Sequence, residues 1–270
     1  MQSQFRSLVG KLQWAKKGRP ELRQCVSELA QRQGHANGND FLLTNKVIRR
    51  FKETSFVNRL HKLCHPIDES GALAWSGIAI VDAGDTPAIP NHDGRWQGGR
   101  IIGFKEKGGE KTAVTEIASK RVKRVSHGSF DAETTWAIES YEEAIGNAEV
   151  IEEGVFGRRP SLAERSLARV EGYDLATECG EMGIELHTDC ESLCKAVDNL
   201  MLAAGLGKRR RVDVADLKQE VAAGRLLGLT HISGPYNPSD CISKKFNAKG
   251  TNITRERLYS ILESGVYKPM

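Results

Sequence analysis

The chain has 270 residues, 39% of them hydrophobic and 27% charged, with 39 basic and 35 acidic side chains for a formal net charge of +4. This composition is that of a soluble globular protein, and no apolar run approaches the roughly 18 residues of a membrane span. Six scattered cysteines exclude a disulfide framework and fit a reducing compartment.

The opening MQSQFRSLVGKLQWAKK lacks the apolar core of an export signal, so the protein is expected not to be secreted. Its pattern predicts an amphipathic helix with Leu8, Leu12 and Trp14 on the apolar face. Pro20 stands where the first turn of a second helix begins, and ELRQCVSELAQRQG runs on to Gly34. A third helix, FLLTNKVIRRFKET, places Leu42, Val47, Ile48 and Phe51 at helical spacing. His61, Cys64 and His65 lack a fourth ligand at zinc-like spacing and are read as a chance grouping.

From about residue 58 the period changes. RLHKLCHPID is expected to be a short edge strand, and AWSGIAIVD a central strand apolar on both faces and ending on Asp82. GGRIIGFKEK and KTAVTEIASKRVKRV, joined by the turn KGGEK, complete an antiparallel meander. Ser129 is placed as the cap of the helix FDAETTWAIESYEEAIG, an insertion is expected at about 146–160, and SLAERSLARVEGYDLATECGEMG reads as a second long helix. The strand IELHTD then feeds the helix CESLCKAVDNLMLAAG, VDVADLKQEVAAGR forms another helix, LLGLTHIS is the last strand, and NPSDCISKKF is a helical turn carrying Asp240.

Four acids stand out by position. Asp82 ends the first strand, Glu133 sits early in the helix after the third, Asp189 ends the fourth and Asp240 lies just past the fifth. If strands one and four are neighbours these positions converge at the carboxyl ends of the strands. Gathered carboxylates repel, and hard oxygen ligands resolve this with one or two divalent ions, magnesium or manganese. Two such ions about 4 Å apart activate water and stabilise the leaving oxygen of a phosphodiester. Asp131 competes with Glu133, Asp85 with Asp82, and Glu191 with Asp189 for these roles. The basic blocks KRVKR at 120–124, Arg158-Arg159 and KRRR at 208–211 suit contact with phosphates, Lys123, Arg124, Lys208 and Arg209 being the candidates for nucleic-acid binding.

At these residues the sequence resembles the ribonuclease H domain of copia-type long-terminal-repeat retrotransposon polyproteins. The blocks are FRSLVGKLQW, NKVIRRFKET, VDAGDTP with GRWQGGRIIGF, KRVKRVSHGSFDAETTWAI, IELHTDCESLCKAV, and RRRVDVADLKQEVAAGRLLGLTHISGPYNPSDCISKKF. The histidines that the family carries near 211–217 are absent, RVDVADL standing there. The resemblance implies a ribonuclease H-like α/β domain at 66–248, a mixed five-stranded sheet flanked by helices. A helical remnant of the reverse transcriptase connection would precede it at 1–65, and a C-terminal tail would follow at 249–270. It implies metal-binding roles for Asp82, Glu133, Asp189 and Asp240, with two magnesium or manganese ions, hydrolysis of the RNA strand of an RNA–DNA hybrid, and a reverse transcriptase portion as a partner. His231 would be an auxiliary residue. The compartment implied is a cytoplasmic virus-like particle or the nucleus. No YxDD block or integrase is present, which points to a polyprotein piece or a stand-alone descendant. The rival readings are a decayed or domesticated nucleic-acid-binding module and a non-catalytic support for a reverse transcriptase.

Overall fold

The computed structural model describes residues 2–53, 61–69, 71–84, 96–157, 161–171, 181–199, 206–244 and 251–269. Strands β1 (Trp75–Gly84), β2 (Gln97–Glu106) and β3 (Thr112–Arg121) form the antiparallel meander, while β4 (Ile184–Thr188) and β5 (Leu226–His231) run parallel to β1. The order across the sheet is β3-β2-β1-β4-β5. The expected mixed five-stranded sheet flanked by helices is therefore the one observed, with β1 and β4 adjacent.

β1 is buried along nearly its whole length because both faces are covered. Ala79, Val81 and Ala83 face one core, shared with Trp136, Ala137, Tyr141 and Ala144 of helix α4 (Ser129–Phe156) and with Leu193, Val214 and Leu217 of helices α6 (Glu191–Asp198) and α7 (Lys208–Ala222). Ile78 and Ile80 face a second core with Ile101, Ile117, Ile242, Leu258, Ile261 and Leu262. Helix α5 spans Leu162–Glu171.

Glycines in β2 set the distances between layers. An added Cβ at Gly98 would come 2.2 Å from the Trp136 ring, and one at Gly99 would come 2.7 Å from the Ser239 carbonyl oxygen and 2.8 Å from the Ser243 nitrogen. Trp136 is thus buried against bare backbone, its indole N–H donating to the Gly99 carbonyl at 2.8 Å.

Helices α1 (Gln2–Ala15), α2 (Arg23–Gln31) and α3 (Gly38–Glu53) have their own small core of Phe5, Val9, Leu12, Leu22, Cys25, Val26, Leu29 and Val47. The apolar face of α1 is Phe5–Val9–Leu12, not the expected Leu8–Leu12–Trp14; Trp14 is 75% exposed, because the i, i+4 pair Phe5 and Val9 already fills the contact. This unit docks on the meander, where Gln97 donates to Ser27 and Ser119 and the Arg23 guanidinium donates to the Ile117 carbonyl.

Other expectations are corrected. Residues 61–69 are not an edge strand, their ladder contact being one isolated bridge between Ile67 and Leu73. The insertion expected from about 146 is helix instead: α4 continues through Gly146 to Phe156 and ends at Gly157, whose φ of 69° takes the left-handed conformation of a helix stop. The residue that caps α4 is Gly128, and Ser129 lies inside the helix. The stretch 249–270, set apart in the sequence as a tail, contributes core: helix α9 (Thr251–Ser264) buries Leu258, Ile261 and Leu262 against the sheet, and Val266 bridges to Lys111. Residues 172–180 and 200–205, read as parts of helices, lie outside the described residues. Among the described residues no helix is long and apolar enough to cross a membrane.

Candidate metal centre

Parallel pairing of β1 with β4 stops at Val81 opposite Thr188, so that Asp82 and Asp189 emerge side by side just past this ladder; Asp189 follows the end of β4, whereas Asp82, expected to end its strand, lies two residues inside β1, which runs on to Gly84 against β2. The third acid arrives from the loop after β5. Asn237 donates from Nδ2 to the Val81 carbonyl at 2.9 Å and accepts at Oδ1 from the Ser239 amide and hydroxyl, which pins the loop to the end of β1. The short helix α8 (Asp240–Ser243) then starts with Asp240 over the site. One carboxylate oxygen each from Asp82, Asp189 and Asp240 lie within 4.8 Å of one another.

Glu133 approaches from the opposite layer, close enough for Asp82 and Asp189 to act on its charge, but it is not a member of this group of three. From α4 its Oε1 accepts the Ala83 amide at 3.0 Å, while its Oε2 is buried without a hydrogen-bond partner. Asp131 does not compete for the position: it is ion-paired with Arg210 at 2.7 Å and accepts the His127 amide. Glu191 faces solvent beside Lys195, and Asp85 lies outside the described residues.

The electrostatics of the cluster follow from burial and crowding. Burial first, and then the neighbouring Asp189 charge, push the Asp82 carboxyl up to about 7; burial and then Asp82 push Asp240 up to about 6. Glu133 is raised well above the ordinary carboxylate range by burial and by Asp82 and Asp189, and Asp189 is raised chiefly by burial. Two groups oppose this. The Ser243 hydroxyl donates to Asp82 Oδ2, and the Lys244 ammonium contacts Asp240 Oδ1 and lies 4.0 Å from Asp82 Oδ1.

These shifts have a testable consequence. A carboxyl raised in the folded state favours its protonated form there. Stability from this source is thus fully present below the unfolded value near 4 and is lost as pH rises through the folded value. We expect the metal-free protein to lose stability between about pH 4 and pH 7, the window set by Asp82. Asp82→Asn should flatten that slope in urea unfolding; an unchanged slope would show that Asp82 is not the buried acid responsible.

The donor set fits a hard divalent cation. The three aspartates are close enough to share an ion, and beside them the Glu133 Oε2 is buried without a partner. The Asp82–Asp189–Asp240 triad can hold a divalent metal.

The predicted basic residues lie elsewhere on the molecule. Lys208 and Arg209 are exposed at the start of α7, where they line a cleft of about 330 Å³ with His127 from the loop before α4. Lys123 is 3.9 Å from Glu139 and Arg124 is 3.9 Å from Asp213. Arg210 lines the same cleft but is largely buried, ion-paired with Asp213 of its own helix and with Asp131, the pair that ties α4 to α7. His231 is exposed at the end of β5, opposite Thr188. His61 contacts the Leu262 carbonyl at 2.9 Å, and it forms no metal-ligand group with Cys64 and His65 among the described residues. Asn237, Ser243 and Lys244 were not selected from the sequence; the signal for Lys244 was its i+4 spacing from Asp240 on one helical turn.

No family model and no curated protein matches the chain. Among solved structures it is similar to LC11-RNase H1, isolated from compost by a metagenomic approach, at 13% identity over 62% of this chain and 91% of that one, with a TM-score of 0.37. It is also similar to RNase H1 from the archaeon Halobacterium salinarum, at 13% identity over 61% and 90%, TM-score 0.32. The protease–reverse transcriptase of prototype foamy virus matches at 10% identity over 87% of this chain and 28% of that one, TM-score 0.35.

Proposed function

We propose that the protein is a retrotransposon-derived nuclease of the ribonuclease H type, which hydrolyses the RNA strand of RNA–DNA hybrids with magnesium or manganese. The observation that carries the reading is the convergence of Asp82, Asp189 and Asp240, with Glu133 supplied from the opposite layer. Acids brought together at this cost in repulsion are understood as ligands. The order of the sequence blocks that resemble the copia-type domain supports the choice of substrate.

Asp82, Glu133, Asp189 and Asp240 would hold two ions, which supply a water nucleophile at neutral pH and charge stabilisation for the leaving oxygen. The chain's own groups have separate tasks. Asn237 fixes the loop that presents Asp240, and the Ser243 hydroxyl orients the Asp82 carboxylate. Burial of Asp82 and Glu133 keeps bulk water from screening the site. Purified protein with magnesium should cut a labelled hybrid within its RNA strand to leave 3′-hydroxyl and 5′-phosphate ends, and should spare duplex DNA. An intact hybrid at every magnesium and manganese concentration would overturn the reading in favour of a binding module that does not cut.

Lys123, Arg124, Lys208 and Arg209 would track phosphates at a distance from the acids. Replacing Lys208 and Arg209 together by Gln should weaken hybrid binding and lower the slope of log affinity against log salt by about one per lost phosphate contact. An unchanged slope in fluorescence anisotropy would remove these two residues from the interface.

A further inference from the structure

Among the described residues Lys244 is the cation that contacts the acids, and its placement is built into the fold. It directly follows α8, so the helical turn that presents Asp240 also carries the ammonium back over it, in contact with Asp240 Oδ1 and 4.0 Å from Asp82 Oδ1. The stem passes over β1 at a glycine: a Cβ added at Gly84 would lie 2.9 Å from Lys244 Cγ and 3.3 Å from the Ser243 carbonyl oxygen. The groups that face the ammonium are Asp82, Asp240, Asp189 and, further off, Glu133, all of one sign. The side chain is nevertheless 40% exposed, so it has a route to water.

The carboxylates it faces are those that would bind a divalent ion. Asp240 belongs to the triad whose oxygens lie within 4.8 Å of one another, and Asp82 is its most buried member. An ammonium and a divalent cation cannot both sit at contact distance from those carboxylates without strong repulsion.

We infer that Lys244 is the resident counter-cation of the metal-free site, holding the acids together until a divalent ion displaces it, so that its departure is part of the free energy of metal binding. The inference rests on reading the four acids as an ion site. It makes Lys244 a positioning residue that sets the ion concentration at which the site fills, by the reciprocity that binds two linked equilibria.

The test uses the full chain, manganese titration calorimetry, and thermal melting in chelator. Lys244→Met should bind manganese on the order of tenfold more tightly than the wild type, because no competitor has to leave. The same variant should melt at a lower temperature without metal, and its melting point should rise more on adding manganese. Lys244→Arg, which keeps the charge, should return the metal-free melting point toward the wild type. Equal manganese affinity in the wild type and Lys244→Met would overturn the inference while leaving the ion site in place. An unchanged or higher metal-free melting point for Lys244→Met would overturn it as well. If neither protein binds manganese, the ion site itself fails, and the inference falls with it.

Discussion

Asp82→Asn is expected to reduce cleavage of an RNA–DNA hybrid by about 10³-fold or more while leaving the protein folded. A metal site supplies several kcal/mol of transition-state stabilisation, and each loss of about 1.4 kcal/mol costs a factor of ten. Asp82 is the least exposed of the three clustered aspartates, and its charge acts on both Asp240 and Glu133. The substitution also removes an acid whose charged form burial and Asp189 disfavour, so the metal-free variant should be at least as stable as the parent at pH 8. Loss of activity with retained or increased stability separates a ligand from a structural residue. If Asp82→Asn still cuts within tenfold of the parent, the acids are not the catalytic centre.

The second large effect is expected at a residue that touches no ligand. Gly99 lies directly opposite Asp82 in the β1–β2 ladder and shares its face of the sheet. The backbone of α8 rests on the space left by the missing side chain, within 2.8 Å of where a Cβ would stand. Gly99→Val should therefore lift α8, withdrawing Asp240 and the Ser243 hydroxyl from Asp82. Overpacking of this kind costs about 1–3 kcal/mol or more, and a misplacement of about 1 Å can cost a hundredfold in rate. Gly98→Val pushes instead on the Trp136 ring and should cost stability without comparable loss of ion affinity in the molecules that remain folded. Urea unfolding with manganese titration separates the two. Equal ion affinity in Gly99→Val and the parent would show that α8 does not depend on this contact.

The acids were legible because each stands at a break in a periodic pattern. Asp82 and Asp189 close apolar runs of sequence, and Glu133 falls in the first turns of the helix after the third strand. The meander was equally plain, for two long alternating segments flank one turn. What escaped was whatever depends on a partner far away in the chain. Nothing local marks Gly99 as clearance for α8, or Asn237 as an anchor on the Val81 carbonyl. The block KRRR reads as one surface feature, yet Arg210 is drawn inside by Asp131 and Asp213 while Lys208 and Arg209 stay out. The last helix looked like a tail because Leu258, Ile261 and Leu262 are embedded in TNITRERLYSILES, too polar to announce a buried face.

The hydrogen bond from the Ser243 hydroxyl to Asp82 joins residues 161 positions apart in the chain. A nascent polypeptide leaves the ribosome from its N-terminus and folds its early segments first. The meander and α4 are therefore complete, with Asp82 and Glu133 in place, well before Asp240 and Lys244 exist outside the exit tunnel. Until then the protein owns half a site with neither its third aspartate nor its internal cation. The centre therefore closes late in the order of synthesis, only when β5 has paired with β4 and α9 has covered the second core.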